Sequence, residues 1–184
     1  MKFLIASDIH GDVAATKEII RKFSQYKCDK MILLGDYLSG GSYEDYEKVI
    51  DLLNFFKNDI IAIRGNCDYF IGEDIFEFEL RDKFELYLKD RLYIFEHGHQ
   101  LESYYENPLN KELYVIYGHT HRLGYRESGG IHFINLSSVS TPRGSSPKSF
   151  AILDDEKISI FDFDDNLLST YWFIVFENSS TCFK

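Results

Sequence analysis

The chain has 184 residues, 45% hydrophobic and 16% aromatic, which suits one globular domain with a sizeable core and excludes a disordered chain. Its 30 acidic and 20 basic residues give a net charge of −10, so we expect no binding to nucleic-acid polymers or to membranes. Three cysteines without paired spacing, and no signal-like apolar segment near Met1, predict a cytoplasmic protein.

The first third of the chain alternates between short apolar runs and amphipathic segments. Strands are predicted at 3–6, 31–34 and 60–63, because a short continuous apolar run is typical of a strand that is buried on both faces. Helices are predicted from Asp12, as the N-cap, to about residue 25 and from 43 to 56, where apolar residues recur at helical spacing. This order predicts a parallel β-α-β-α-β unit.

The character of the chain changes after Asp68, and alternating, β-branched and aromatic residues then dominate. Further strands are predicted at 84–88, 92–95, 114–117, 125–127, 131–134, 149–153, 158–163 and 170–175. The fold class that we predict is α/β, a four-layer α/β/β/α sandwich of two packed mixed sheets flanked by helices. We expect one domain over residues 1–184, with 175–184 as a C-terminal extension.

Five polar clusters follow apolar runs and contain residues that are suited to binding metal ions. They are Asp8-Ile9-His10, Gly35-Asp36, Gly65-Asn66-Cys67-Asp68, His97-Gly98-His99 and Gly118-His119-Thr120-His121. Because ligands of open α/β sheets bind beyond the carboxyl ends of the strands, we expect these side chains to meet at one edge. Imidazole, carboxylate and amide groups together suit Mn, Fe, Ni, Co or Zn, whereas calcium is disfavoured by so many histidines.

The motif series as a whole resembles a known family. In order, the motifs Asp8-x-His10, Gly35-Asp36, Gly65-Asn66-x-Asp68, His97-Gly98 and Gly118-His119-x-His121 resemble those of the calcineurin-like metallophosphoesterases. Over residues 1–174 the chain is similar to the small bacterial and archaeal phosphodiesterases of that superfamily. The resemblance implies one metal ion held by Asp8, His10, Asp36 and His121, and a second held by Asp36, Asn66, His97 and His119.

In this assignment Asp36 bridges two divalent ions. We expect Mn²⁺ first, with Ni²⁺, Fe²⁺, Co²⁺ and Zn²⁺ as alternatives. Two metal ions about 3.5–4 Å apart can bind a bridging hydroxide, which attacks phosphorus in line with the leaving oxygen. The expected function is hydrolysis of a small phosphate ester, with a phosphodiester ahead of a monoester or nucleotide. A non-catalytic metal-binding scaffold is the alternative of another class, and exposed strands would allow a homodimer or tetramer.

Four residues in or near these motifs are not assigned as metal ligands. Cys67 stands where many larger phosphatases of the superfamily carry histidine, and a thiol is a weaker proton donor, so we predict a strong dependence of rate on leaving-group pKa. His99 and Asp68 are the candidate catalytic residues; His99 either contacts substrate or makes a structural hydrogen bond, and Asp68 either orients a ligand or stabilises a turn. Arg143 lies in a loop, where it either reaches a phosphate or carries a solvated charge.

Overall fold

The structure is a computed structural model that describes residues 1–70, 74–101 and 112–172. In chain order its strands are β1 (Phe3–Ala6), β2 (Lys30–Leu33), β3 (Ile60–Ile63), β4 (Leu80–Arg81), β5 (Lys83–Leu88), β6 (Arg91–Glu96), β7 (Leu113–Tyr117), β8 (Leu123–Ser128), β9 (Ile131–Leu136), β10 (Ser149–Leu153), β11 (Lys157–Asp162) and β12 (Leu167–Trp172). The α-helices are α1 (Val13–Gln25) and α2 (Tyr43–Phe55), with short 3-10 helices at Lys57–Asp59 and Asp68–Phe70. Within the described ranges, no helix is long and apolar enough to cross a membrane.

The strands form two mixed sheets. The first has the order β12-β11-β10-β1-β2-β3-β4, in which β1 to β4 are parallel and β10 to β12 pair antiparallel. The second has the order β5-β6-β7-β9-β8, with a parallel centre and antiparallel edges. The parallel β-α-β-α-β unit and the two mixed sheets that the sequence predicts are therefore confirmed.

Alternation along β1 shows how the layers are held together. Leu4 points to the face that is covered by the helices, where Ile19 of α1 and Leu53 of α2 are also buried. Ile5 points the other way, into the core between the two sheets, where it shares an apolar cluster with Phe95 of β6. Successive strand residues face opposite sides of a sheet, so one four-residue strand contributes to both cores.

The second sheet has a third apolar cluster on its outer face. Leu92, Val115 and Phe133 are buried there, and Leu101 packs against them. Both α-helices lie against the first sheet, and the described ranges contain no α-helix on the outer face of the second. The predicted α/β class and the packing of two mixed sheets are confirmed. Residues 102–111, which follow Leu101, lie outside the described residues.

Local sequence signals account for both helix starts. The side chain of Asp12 accepts a hydrogen bond from the Ala15 amide at 2.9 Å, which satisfies a donor at the start of α1 as predicted. Ser42 and Asp45 form a reciprocal capping box at the start of α2. At the other end of the chain, β12 begins earlier than the predicted strand at 170–175, and residues 173–184, including the expected extension, lie outside the described residues.

Candidate metal centre

The polar clusters lie where the two sheets meet at the carboxyl ends of their strands. Asp8 follows β1, and its Oδ2 accepts a hydrogen bond from the His119 amide, beyond β7, at 3.0 Å. His97 follows β6, and its Nδ1 lies 2.7 Å from the carbonyl oxygen of Leu34, beyond β2. These contacts connect the ends of the two sheets, so clusters that are distant in sequence form one site.

Much of this site is built on unusual backbone. Positive φ angles occur at Asp8 (60°), His10 (49°), Asp36 (57°), His119 (63°) and His121 (59°). Left-handed backbone is uncommon outside glycine, although Asp and His tolerate it better than most residues. Such conformations cluster at functional sites, where the surrounding structure holds them in place. Five of the seven predicted metal ligands therefore share a backbone feature that is typical of a functional site.

Asp8, His10 and His121 form the first group of candidate ligands. Asp8 Oδ1 lies 3.2 Å from His121 Nε2 and 3.7 Å from His10 Nε2, and the two Nε2 atoms are 3.1 Å apart. Asp8 is fully buried, and its Oδ1 has no hydrogen-bond partner among the described residues. A buried carboxylate oxygen without a donor is costly unless a cation neutralises it.

The contacts of the Nδ1 atoms of His10 and His121 determine whether their Nε2 atoms carry a proton or a lone pair. His10 Nδ1 lies 2.7 Å from the carbonyl oxygen of Ser39, and His121 Nδ1 lies 2.6 Å from that of Thr141. A carbonyl oxygen only accepts, so each Nδ1 carries the proton and each neutral ring has a lone pair at Nε2. Two lone pairs and an unpaired carboxylate oxygen thus converge, and this donor set fits a divalent cation.

Asp36, His97 and Asn66 form the second group. His97 Nε2 lies 3.4 Å from Asp36 Oδ2 and 3.0 Å from Asn66 Oδ1, while its Nδ1 is held by the Leu34 carbonyl. The same Asp36 Oδ2 lies 3.8 Å from His10 Nε2. This oxygen is therefore between the two groups, as a bridging ligand requires. The Asp8, Asp36 and His97 ligand atoms also lie within 4.8 Å of one another.

His119 and His99 lie beside the second group. The His119 ring centroid is 5.0 Å from that of His97, so the two rings lie side by side. The ring centroid of His99 is 5.5 Å from that of His97 and 6.2 Å from that of His119. His99 lines a small pocket beside the site, together with Arg64 and Tyr69. Neither His99 ring nitrogen has a hydrogen-bond partner among the described residues. A catalytic role for His99 stays a prediction.

Asp68 lies behind the candidate metal ligands. Its Oδ2 accepts hydrogen bonds from the amides of Asp36 at 2.8 Å and Gly65 at 2.7 Å, and its Oδ1 accepts one from Tyr37 at 2.9 Å. Asp68 is fully buried, and these three bonds fix the turn that carries Asp36. This geometry fits both roles expected of Asp68, since it stabilises a turn and positions Asp36. Asp68 does not line the cleft, and a catalytic role for it stays a prediction.

Two glycines are required by close approach at the site. A Cβ atom on Gly118 would lie 1.8 Å from Ser7 Oγ and 2.4 Å from Asp8 Oδ2. A Cβ atom on Gly65 would lie 2.2 Å from Asp36 Oδ1. Each glycine thus leaves room for a carboxylate that belongs to another strand end.

Charge coupling within the site shifts several pKa values. The Asp8 carboxylate, whose Oδ1 lies 3.2 Å from His121 Nε2, stabilises the protonated ring and raises the pKa of His121, although burial opposes this. Burial alone would lower the pKa of His97, but Asp36 outweighs it and the pKa is raised. Burial would raise the pKa of Asp8, but the neighbouring histidines hold it well below its ordinary value. For His119, burial and then His97 lower the pKa. The Asp8 carboxylate is therefore ionised at neutral pH, as binding of a cation requires.

An open cleft of about 540 Å³ leads to these residues. Its lining includes the metal-ligand candidates His10, Asp36, Asn66, His119 and His121, together with Cys67, Thr120, Arg122 and Arg143. Burial raises the pKa of the Cys67 thiol, so the thiol is neutral at physiological pH. The cleft is large enough for a small phosphate ester.

Residues that hold the candidate ligands in place were not identified from the sequence patterns. Asn135 is buried at the end of β9, and its Nδ2 donates to the Gly118 carbonyl at 2.7 Å and to Thr120 Oγ1 at 2.8 Å. A polar residue directly after an apolar run is the signal that found the other clusters, and it applies to Asn135 as well. No sequence pattern indicates Ser39 and Thr141, because they contact His10 and His121 through main-chain carbonyl oxygens, which every residue has.

Comparison with known proteins shows which family shares this architecture. The calcineurin-like phosphoesterase superfamily domain matches residues 1–157. The chain belongs to this superfamily. Phosphodiesterase YfcE of Escherichia coli is 34% identical over 173 residues, which cover 90% of this chain and 94% of that protein. A phosphodiesterase of Methanocaldococcus jannaschii is 30% identical over 169 residues, which cover 85% and 95%.

Solved structures of other proteins agree with this assignment. The structure of the Escherichia coli phosphoesterase YfcE matches with a TM-score of 0.81 at 31% identity, covering 94% of this chain and 99% of that one. A variant of Vps29 from Entamoeba histolytica matches with a TM-score of 0.64 at 20% identity, which shows a common fold. Membership makes the chain a phosphoesterase-type hydrolase of a metal-dependent superfamily, and its Asp and His clusters are the candidate ligands.

Proposed function

We propose that the protein is a phosphodiesterase that uses two divalent metal ions, with Mn²⁺ as the expected ion, to hydrolyse a small phosphate ester. The observation that carries this proposal is the convergence of His10 Nε2, His121 Nε2 and the unpaired Asp8 Oδ1. Relatives named phosphodiesterases that align over nearly the whole chain support it.

Seven residues would hold the two ions in this proposal. Asp8, His10, Asp36 and His121 would hold one, and Asp36, Asn66, His97 and His119 the other. The position of Asp36 Oδ2, within 4 Å of both His10 Nε2 and His97 Nε2, supports its bridging role. The neutral tautomers that the carbonyls of Ser39, Leu34 and Thr141 impose prepare three of the histidines to donate a lone pair.

The reaction replaces one ester bond with a bond to water. Bound divalent ions supply activation of water at neutral pH and stabilise the charge that develops on the phosphoryl oxygens. Water adds to phosphorus, the bond from phosphorus to the leaving oxygen breaks, and the leaving alcohol takes a proton. Asp68 keeps Asp36 in position during these steps by holding its backbone amide.

The described residues that line the cleft provide no strong acid beside the leaving group at Cys67. Cys67 lines the cleft, and burial raises its pKa, so its thiol is a poor proton donor near neutral pH. Good leaving groups, which need no proton, should therefore react much faster than poor ones.

The experiment is a substrate panel on purified protein. The protein is stripped with a chelator, reloaded with Mn²⁺, Ni²⁺, Co²⁺, Zn²⁺ or Mg²⁺, and assayed with bis(p-nitrophenyl) phosphate and p-nitrophenyl phosphate. We expect no activity after stripping, recovery that is highest with Mn²⁺, and a higher kcat/KM for the diester. A higher kcat/KM for the monoester would make the protein a phosphomonoesterase. Failure of every metal to restore hydrolysis of either ester would favour a non-catalytic scaffold.

A further inference from the structure

The cleft contains two cationic side chains that the proposed metal chemistry does not use. Arg122 and Arg143 both line it, and both are exposed. Neither guanidinium group has a hydrogen-bond or ion-pair partner within the described part of the chain. Among the described residues that line the cleft, the only carboxylate is that of Asp36, a proposed metal ligand. The described lining is thus locally cationic although the chain has a net charge of −10.

Both arginines are fixed relative to the metal centre through His121. Arg122 follows His121 directly in sequence, and its amide donates to Thr120 Oγ1 at 3.2 Å. The amide of Arg143 donates to the His121 carbonyl at 2.8 Å, two residues after Thr141, whose own carbonyl orients the His121 ring. One hydrogen-bond network therefore positions His121 and the main chains of both arginines, from which the two side chains reach the cleft.

Their exposure distinguishes these arginines from groups that contact a reacting phosphoryl centre. Asp8, Asp36 and His121 are buried, whereas Arg122 and Arg143 lie at the solvent-exposed rim of the cleft. A phosphoryl group bound at the buried ligands would have its ester substituent extending toward this rim. Guanidinium groups are planar donors that match the geometry of carboxylate and phosphate groups.

We propose that Arg122 and Arg143 bind a second anionic group of the substrate, a carboxylate or a phosphate on the part of the diester that is retained. This inference rests on the proposed function and names its substrate class, a phosphodiester with an additional negative charge. The arginines are specificity-determining residues here, and the metal centre carries the bond breaking.

The test uses three p-nitrophenyl diesters that differ only in the retained alcohol. Ethyl p-nitrophenyl phosphate carries a neutral group, the 3-carboxypropyl ester an anionic group, and p-nitrophenyl phosphorylcholine a cationic group. With Mn²⁺-loaded protein we expect kcat/KM to be about tenfold higher for the carboxypropyl ester than for the ethyl ester, and lowest for the choline ester. The preference should weaken as salt is added, because exposed charges are screened.

Substitutions test whether the side chains of Arg122 and Arg143 cause the preference for the anionic diester. In the double variant Arg122→Gln/Arg143→Gln the ratio of carboxypropyl to ethyl kcat/KM should fall to about one, and Arg143→Glu should favour the choline ester. Lys17→Gln, which removes an exposed positive charge from α1, is the matched control and should keep the wild-type ratio. An equal loss for all three esters in the arginine variants would overturn the proposal, because the arginines would then contact the reacting phosphoryl group.

A binding measurement separates this inference from the proposed function. Calorimetry with 4-phosphonobutyrate and butylphosphonate compares an anionic with a neutral substituent without any turnover. We expect wild-type protein to bind 4-phosphonobutyrate about tenfold more tightly, and the double variant to bind both ligands equally. Equal affinities in wild type would refute the role of the arginines even if the diesters are hydrolysed. If no ester is hydrolysed, the proposed function fails, and calorimetry still decides whether the arginines bind an anion.

Discussion

The Nε2 atoms of His10 and His121 lie 3.1 Å apart, although the Nδ1 atom of each ring is already bonded to a backbone carbonyl oxygen. Neutral rings would direct two lone pairs at each other, with Asp8 Oδ1 only 3.2 Å from His121 Nε2. A proton on one ring or a cation between the rings resolves this conflict. The arrangement therefore implies that protons and metal ions compete for the same place.

This competition gives a pH prediction. The nearby Asp8 carboxylate raises the pKa of His121, and Asp36 outweighs burial to raise the pKa of His97. Both rings therefore keep a second proton to higher pH than an ordinary histidine in metal-free protein. Metal binding must release these protons, so the apparent affinity falls as pH decreases. We expect Mn²⁺ affinity, measured by calorimetry, to drop at least about tenfold between roughly pH 8 and pH 6. A pH-independent affinity would show that these rings are not ligands.

Replacement of Gly118 tests the close approach between the two sheets. In Gly118→Ala the new Cβ would overlap Ser7 Oγ and Asp8 Oδ2, so Asp8 must move. We expect a loss of about 1–3 kcal/mol in the free energy of urea unfolding, together with weaker Mn²⁺ binding. Gly124→Ala is the matched control, because a Cβ there has no atom within 4 Å. Equal effects of the two substitutions would contradict the packing described for Gly118.

Asp68 provides a test of positioning at a distance from the cleft. Asp68→Asn replaces one carboxylate oxygen with an NH2 group, which cannot accept a hydrogen bond, so the variant cannot keep all three bonds from the backbone amides of Asp36, Gly65 and Tyr37. The variant should lose about 1–3 kcal/mol of unfolding free energy. Its Mn²⁺ affinity should fall roughly 10–100-fold, as for other groups that orient metal ligands. A variant with reduced stability and unchanged metal affinity would limit Asp68 to a structural role.

The missing proton donor can be tested by restoring an imidazole. Cys67→His should raise kcat/KM for diesters with poor alkoxide leaving groups by roughly tenfold or more and leave good aryl leaving groups nearly unaffected. The slope of log(kcat/KM) against leaving-group pKa should therefore become shallower. Cys67→Ser, which adds no acid in this pH range, is the control and should keep the steep slope. A flat dependence in the wild type would show that another group already protonates the leaving oxygen.

The positions of the candidate ligands in the fold were predictable from sequence because each one follows a short apolar run. When a buried parallel strand is followed by a polar cluster, the cluster must lie at the carboxyl edge of the sheet. Asp8, Asp36 and His97 accordingly lie just beyond the ends of strands. The start of β12 was less predictable. A register irregularity between Ile160 and Phe161 shifts the pairing of β11 with β12, and nothing in the alternation of residues 158–163 indicates it.

The chemistry of the ligands could not be predicted in the same way. The tautomers of His10 and His121 are set by the carbonyl oxygens of Ser39 and Thr141, and every residue has such an oxygen. Sequence patterns identify side chains but not which main-chain atoms will face them. The joint placement of Arg122 and Arg143 has the same origin, since a hydrogen bond between main-chain atoms brings Arg143 to His121.

The most direct test of the dinuclear site is the metal content and diesterase activity of Asp36→Asn. Asp90→Asn is its control, because Asp90 is exposed and shares the positive φ of Asp36, 62° against 57°. We predict two Mn²⁺ ions per chain in wild type and in Asp90→Asn. Asp36→Asn should bind fewer ions and lose roughly 10²–10³-fold in kcat/KM for bis(p-nitrophenyl) phosphate. Unchanged metal content and activity in Asp36→Asn would contradict a bridging role for Asp36 and the two-metal mechanism.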